Sequence, residues 1–101
     1  MTLKDLKMTQ NEIYQTCKLL FADKIVETYN NTIHIMWSVK RSLWWRGGHF
    51  RSIYITEFRV MGYPTYFQIT SDLKRLPSWF AAAVKYERNM SGNRIFKGFK
   101  V

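Results

Sequence analysis

The segment Thr32-Ile-His-Ile-Met-Trp-Ser-Val-Lys40 decides the predicted fold, because its side chains alternate between two sets over its whole length. Ile33, Ile35, Trp37 and Val39 occupy every second position. Successive side chains of an extended strand point to opposite faces of a sheet, so a period of two indicates a strand with one buried face. The sequence therefore predicts a β-strand over residues 32–40, and a sheet built around it.

Two more strands are predicted after this one. Gly47 and Gly48 form a hairpin signal, since glycine adopts positive φ without strain. The returning segment 50–60 is rich in Ile, Tyr, Thr and Phe, which favour strands. A turn at 61–64 separates it from a short third strand over 65–70. The three strands form an antiparallel sheet over residues 32–70.

The second predicted strand is apolar on both faces. Ile53 and Ile55 lie on one side of it, and Phe50, Tyr54 and Phe58 lie on the other. Such a strand is either central with both faces covered, or it presents one aromatic face to a partner. The sequence leaves these two alternatives open.

A helix is predicted on each side of the sheet in the chain. Thr9 and Glu12 stand at capping-box spacing, and apolar residues follow at helical intervals as far as Ile25, which predicts a helix over about 9–29. A second helix is predicted over about 77–89. Its first residue, Pro77, suits a first helical turn, and three consecutive alanines at 81–83 are good helix formers.

The predicted fold is thus a single two-layer α+β domain over residues 1–101, in the order α-β-β-β-α. A three-stranded antiparallel sheet carries the helices on one face, and residues 91–101 form a basic C-terminal tail. A chain of 101 residues has room for one hydrophobic core.

Composition excludes several classes of protein. A hydrophobic content of 47% is too high for a disordered basic tail. The single cysteine, Cys17, excludes a disulfide framework and a cysteine-built zinc site. The chain has no uncharged apolar run long enough for a membrane span, and its first residues lack the apolar core of a secretory signal. We therefore expect a cytoplasmic protein without a membrane association.

The sequence predicts no enzyme, no metal site and no cofactor. The two histidines, His34 and His49, fall in a strand and after a turn, without a catalytic motif. The acids beyond the first helix are isolated, so no carboxylate pair is predicted, and the glycines form no phosphate-binding loop.

The positive charge is concentrated in the last two thirds of the chain. Residues 1–30 contain four cations and four acids, whereas residues 31–101 contain twelve cations and three acids, which accounts for the net charge of +9. Two tracts, 40–51 and 85–101, hold most of the excess. This asymmetry predicts an electrostatic face. The alternative is the ordinary solvated surface of a basic protein.

Both tracts interleave cations with aromatic rings, a pattern typical of nucleic-acid binding. Cations neutralise phosphates, and aromatic rings stack on bases. We predict a nucleic-acid-binding module that uses a Trp/Arg hairpin and a basic aromatic tail, with DNA or RNA and single or double strand left open. The alternative interpretation is that Trp44 or Trp45 packs over the edge of the sheet and does not contact a ligand. The predicted contact residues are Lys40, Arg41, Trp44, Trp45, Arg46, His49, Arg51, Lys74, Arg75, Arg94, Phe96, Lys97 and Lys100.

A second functional hypothesis is a small accessory or inhibitor protein, of the phage or mobile-element type. Tryptophan and arginine dominate protein-binding hot spots, so the same hairpin suits an acidic surface of a host protein, including a nucleic-acid-processing machine. Membrane binding is not predicted, because no helix combines a lysine-rich face with an aromatic one.

The predicted order α-β-β-β-α resembles that of double-stranded-RNA-binding domains. In that family a glycine- and histidine-containing loop between the first two strands and a lysine-rich start of the last helix contact RNA. Residues 47–49, Gly-Gly-His, and the pair Lys74 and Arg75 stand at those two positions here. The alanines at 81–83 resemble the family's last helix, whereas Pro77 departs from it. The resemblance implies RNA contacts at these positions.

Overall fold

Six antiparallel strands and two helices make up the part of the chain that the computed structural model describes, residues 8–39 and 49–100, without the side chain of His49. The six strands form one sheet in the spatial order β1-β2-β3-β4-β6-β5, in which every neighbouring pair is antiparallel. The elements are α1 (Gln10–Leu20), β1 (Ile25–Tyr29), β2 (Thr32–Val39), β3 (His49–Phe58), β4 (Tyr66–Ser71), α2 (Ser78–Ala81), β5 (Val84–Arg88) and β6 (Arg94–Phe99).

The predicted fold class is therefore wrong. The chain is a single, mostly-sheet domain, and the three predicted strands are the central strands β2, β3 and β4 of a larger sheet. The resemblance to double-stranded-RNA-binding domains depended on the order α-β-β-β-α. The structure does not have that order, so the resemblance is not supported. Most of the difference comes from two segments that were predicted as helix and form strands.

The predicted helix over 9–29 ends at Leu20, and its second half forms strand β1. Asn30 and Asn31 connect β1 to β2, and Tyr29 pairs with Thr32 across this two-residue turn. Asn30 has φ of 55°, a left-handed conformation that asparagine tolerates better than most residues. The turn brings the apolar residues that follow α1 beside β2, where cross-strand hydrogen bonds outweigh their helical spacing.

The capping box at the start of α1 is confirmed. The Glu12 amide donates to Thr9 Oγ1 over 3.2 Å, and the Thr9 amide donates to Glu12 Oε1 over 3.0 Å. The Thr9 hydroxyl also donates to Glu12 Oε1 over 3.0 Å, and the bonds from the Thr9 amide and then from its hydroxyl lower the pKa of Glu12. The local signal thus fixed where the helix begins, although not where it ends.

The predicted helix over 77–89 is reduced to one turn, and the predicted tail is an interior strand. After α2, Val84 and Tyr86 alternate with charged residues along β5, and β5 pairs with β6 around a turn stabilised by Asn89. Asn89 Oδ1 accepts from the amides of Ser91 and Asn93 over 3.0 and 2.9 Å. Because β6 lies between β4 and β5, this hairpin extends the sheet rather than leaving it.

A β-bulge adjusts the register between β5 and β6. Tyr86 pairs with Phe96 and Lys85 pairs with Gly98, so Lys97 is the extra residue on β6. Gly98 has φ of 127°, which residues with a side chain rarely adopt. The bulge turns both Phe96 and Phe99 into the core in spite of their odd spacing in sequence.

The core lies between the sheet and the two helices. Cross-strand pairs of isoleucines from β2 and β3 occupy one face of the sheet, with Ile33 opposite Ile55 and Ile35 opposite Ile53. Helix α1 contributes Ile13 and Cys17 to the same cluster, and α2 contributes Phe80. The helices therefore cover only one face of the sheet.

Burial raises the pKa of the Cys17 thiol to about 12, because a thiolate would lose its hydration in this cluster. We expect Cys17 in the native protein to react with a disulfide reagent at pH 8 at least ~100-fold more slowly than in the unfolded chain, since the thiolate is the nucleophile. The unfolded thiol ionises near its ordinary pKa, whereas the folded thiol stays protonated. The contribution of Cys17 to the free energy of unfolding is therefore lost as the pH rises from about 9 toward about 12. Labelling with and without urea measures this, and fast labelling of the native protein contradicts it.

Candidate nucleic-acid interface

The face of the sheet opposite the helices, which we call the outer face, is uncovered across the three central strands. Strand alternation and register place twelve side chains there, and none of them is Asp, Glu, Lys or Arg. A protein with a net charge of +9 thus presents a broad surface without a formally charged residue. The twelve residues are Thr32, His34, Met36, Ser38, Phe50, Ser52, Tyr54, Thr56, Phe58, Tyr66, Gln68 and Thr70.

Three aromatic rings follow the outer face of β3, and we call them the β3 aromatic row. Phe50, Tyr54 and Phe58 are 57%, 36% and 37% exposed, which is high for large apolar side chains on a central strand. A strand rises about 3.3 Å per residue, so neighbouring rings of the row stand about 13 Å apart. Two small hydroxyl residues, Ser52 and Thr56, separate them and leave their faces accessible.

Neighbouring strands support two rings of this row. The His34 imidazole stacks on Tyr54 with centroids 4.5 Å apart and planes 16° apart, and Tyr66 stacks on Phe58 at 5.3 Å and 13°. His34 Nε2 is also 2.9 Å from Ser52 Oγ, within hydrogen-bond distance. These contacts fix the orientation of the rings, so the row is a rigid aromatic surface before any ligand arrives.

The cations lie away from the outer face of the central strands, and several meet near one end of the sheet. Strand β2 ends there at Val39, opposite the start of β3, and β4 ends there at Ser71. The segment after β4 and the β5–β6 turn come together at this end, because Arg94 Nη2 donates to the Lys74 carbonyl oxygen over 3.0 Å. We call the four cations of these two segments the basic cluster: Lys74, Arg75, Arg88 and Arg94.

No residue of the basic cluster forms a salt bridge within the described residues. The salt bridges of this part of the chain are Lys24–Asp23 and Arg59–Glu57, and neither involves the cluster. Arg88 and Arg94 stand directly opposite each other on β5 and β6, an arrangement in which like charges repel. Arg94 Nε is buried and has no hydrogen-bond partner, although its guanidinium lies over the Tyr86 ring at 6.0 Å. The cluster therefore carries positive charge that no salt bridge neutralises, and Arg94 Nε is a donor without a hydrogen-bond partner.

Some of the contact residues predicted from the sequence lie in or near the basic cluster, and others fall outside the described residues. Lys74, Arg75 and Arg94 belong to the basic cluster, and Arg51 lies on β3 opposite Trp37, close to the same end of the sheet. His49 pairs with Val39 at the start of β3. The Trp/Arg hairpin falls outside the described residues and stays a prediction; it comprises Lys40, Arg41, Trp44, Trp45 and Arg46.

Phe96, a predicted contact of the basic aromatic tail, lies in the core. Its ring is 8% exposed and packs edge-on against Phe67 and Phe99. Lys97 is half-buried at the bulge, and Lys100 Nζ donates to the Ala81 carbonyl oxygen over 2.8 Å, which joins β6 to α2. The rings of the β3 aromatic row are more exposed than Phe96. Strand alternation indicated that they share a face, but they were not among the contact residues predicted from the sequence.

Within residues 8–39 and 49–100, no group of three His, Cys, Asp or Glu side chains could hold a metal ion. Neither helix of this described part has the length and apolar character to cross a bilayer.

Comparisons of the chain with models of protein families, with curated proteins and with solved structures found no match. The functional conclusions below therefore depend on the surfaces just described.

Proposed function

We propose that the protein binds nucleic acid, and that the basic cluster holds phosphates. The single observation that carries the proposal is the gathering of four cations, none of which forms a salt bridge within the described residues: Lys74, Arg75, Arg88 and Arg94. Residues 72–100 contain seven cations and two acids, so the cluster lies in the most positive part of the described chain. Phosphate groups are the ligands that such a cluster attracts most strongly.

One detail of the cluster supports a phosphate more than a solvated surface. Repulsion between Arg88 and Arg94 across the β5–β6 ladder falls when an anion lies between them. A phosphate supplies that negative charge.

Replacement of Lys74 by alanine tests this proposal. A protein that neutralises phosphates loses affinity as salt rises, with a log–log slope of about −0.7 to −0.9 per phosphate. We expect Lys74→Ala to weaken binding to a labelled 20-nucleotide oligonucleotide and to reduce the steepness of the salt dependence by about 0.7–0.9. Fluorescence anisotropy between 50 and 200 mM salt measures both quantities.

Lys18→Ala is the matched control, because Lys18 is an exposed lysine on α1 and its loss lowers the net charge by the same amount. A smaller effect at Lys18 than at Lys74 shows that position matters as well as total charge. Undetectable binding of the unmodified protein to any nucleic acid at 50 mM salt contradicts the proposal.

A protein partner is the second candidate. The outer face favours it, because the centres of protein interfaces are depleted in charge and enriched in aromatic residues. The acidic surface expected from the sequence would contact the basic cluster and not the outer face. Capture from a nuclease-treated extract distinguishes the two candidates: a single stoichiometric protein that is retained by the unmodified chain and lost with Tyr54→Ala supports this one. The accessory or inhibitor role proposed from the sequence is a form of this second candidate, since it requires a protein partner.

A further inference from the structure

We infer that the outer face binds unpaired bases, so that the ligand is single-stranded nucleic acid lying along β3. This inference rests on the proposed function and names the class of nucleic acid. It starts from the β3 aromatic row, whose three rings are exposed on a face that no helix covers. Aromatic side chains on an open sheet are a recurring surface for base stacking in single strands.

The exposed rings of this surface suit an unpaired ligand better than a base-paired one. In a duplex the faces of the bases are covered by their neighbours, and only base edges are accessible in the grooves. A helix or a two-stranded ribbon fits into a groove, whereas a flat face three strands wide does not. Rings such as Tyr54, held parallel to His34 at 4.5 Å, therefore reach only bases that have left a duplex.

The distribution of charge indicates how the bases and the backbone of a single-stranded nucleic acid lie on the protein. The outer face has no formally charged residue on β2, β3 or β4, so it offers nothing to a phosphate, but its hydroxyl and amide groups can bond base edges. Lys74 and Arg75 of the basic cluster, beyond the end of β4, offer the opposite chemistry. Arg88 and Arg94 lie on the helix-covered side of the sheet, because Arg94 pairs with the buried Ile69. We infer that bases lie against the aromatic row, and that the backbone meets Lys74 and Arg75 where the strand leaves the sheet.

Other occupants fit these observations less well. A second copy of the chain would bring two proteins of net charge +9 together, and like charges oppose that association. An acidic peptide would place its carboxylates over a face that has no Lys or Arg to pair with them. A single strand alone matches both surfaces, because its bases are uncharged and its backbone is an anion.

The length of the row sets the number of nucleotides that one molecule covers. Phe50 and Phe58 are eight residues apart, which is about 26 Å along a strand. At about 3.4 Å per nucleotide, the rise of a strand within a duplex, this distance corresponds to at most roughly eight nucleotides, because an unpaired strand is more extended. Affinity should rise with oligonucleotide length up to about this size and then level off.

The test is a competition experiment with the full chain. A labelled oligothymidylate of 16 nucleotides is displaced by unlabelled oligothymidylates of 4, 8 and 16 nucleotides, by oligouridylates of the same lengths, and by a 16-base-pair duplex. We expect at least one of the two single-strand series to compete at least tenfold better than the duplex. In that series the 8-nucleotide competitor should approach the 16-nucleotide one, and the 4-nucleotide competitor should fall well below both.

Three variants show whether the aromatic row makes the contact. Tyr54→Leu keeps an apolar side chain and removes the ring, and we expect a loss of about 5- to 150-fold in affinity for the single strand. Tyr54→Phe keeps the ring and should bind within about threefold of the unmodified protein, which also shows that the fold is intact. Tyr63→Leu changes an exposed tyrosine in the β3–β4 turn and should have no effect.

Each outcome has a distinct meaning. Equal or better competition by the duplex, or unchanged affinity of Tyr54→Leu, overturns the inference and leaves the proposed function standing. Absence of binding to every nucleic acid overturns both. Binding that is lost with Lys74→Ala and insensitive to Tyr54→Leu assigns the nucleic acid to the basic cluster alone, and it overturns the role of the outer face.

Discussion

Loss of two rings from the β3 aromatic row, in the double variant Tyr54→Leu/Phe58→Leu, is expected to lower affinity for a 16-nucleotide single strand by about 30-fold to 20,000-fold. Each base–aromatic stack contributes about 1–3 kcal/mol, and a factor of ten corresponds to about 1.4 kcal/mol. The two rings lie on one strand with Thr56 between them, so they contact different nucleotides and their effects should add. This is the largest effect on binding that we expect from two substitutions.

Fluorescence anisotropy at constant salt measures this loss, and thermal unfolding checks the fold. Both rings are on the surface, and their stacked partners Tyr66 and His34 remain, so the fold should lose no more than about 1–2 kcal/mol of stability. The salt dependence of the remaining binding should not change, because the variant removes no cation. A double variant that binds as tightly as the unmodified protein would show that the rings face solvent without contacting the ligand.

Replacement of Phe80 by alanine is expected to cost the most stability, about 3–5 kcal/mol. Phe80 has no exposed surface and stacks on Phe21 with centroids 5.6 Å apart. Helix α2 has four residues and no side-chain cap, so it depends on its packing, to which this ring and Trp79, whose ring centroid lies 5.0 Å from that of Trp37, both contribute. The loss would remove a large part of the 5–15 kcal/mol typical of a domain.

Urea unfolding followed by tryptophan fluorescence measures the change in free energy. Leu19→Ala is the control, because Leu19 is an exposed leucine on α1 and its loss should change stability by less than about 0.5 kcal/mol. Phe80→Leu keeps most of the buried volume and should cost less than half as much as Phe80→Ala. A loss below about 1 kcal/mol for Phe80→Ala would mean that the core closes over the vacancy, and that α2 does not depend on this ring.

The site was only partly predictable from the sequence. The excess of cations in residues 72–100 is visible in composition, but their approach depends on the contact of Arg94 with the Lys74 carbonyl oxygen, twenty residues away in the chain. Alternation along β3 placed Phe50, Tyr54 and Phe58 on one face. It left open whether another layer covers that face. Phe96 shows the converse, since a ring among cations in sequence is buried in the structure.

By itself the sequence determined the local features of this protein: the start of α1 at the Thr9–Glu12 capping box and the three central strands with their alternating faces. These features depend on residues within a few positions of each other, so local sequence contains all the information they need. Tertiary structure alone decided that residues 25–29 and 84–88 are strands, because their hydrogen-bond partners on β2 and β6 outweigh a helical spacing of apolar residues. It also decided which face of the sheet stays open, since two helices can cover only the side that their own apolar residues reach.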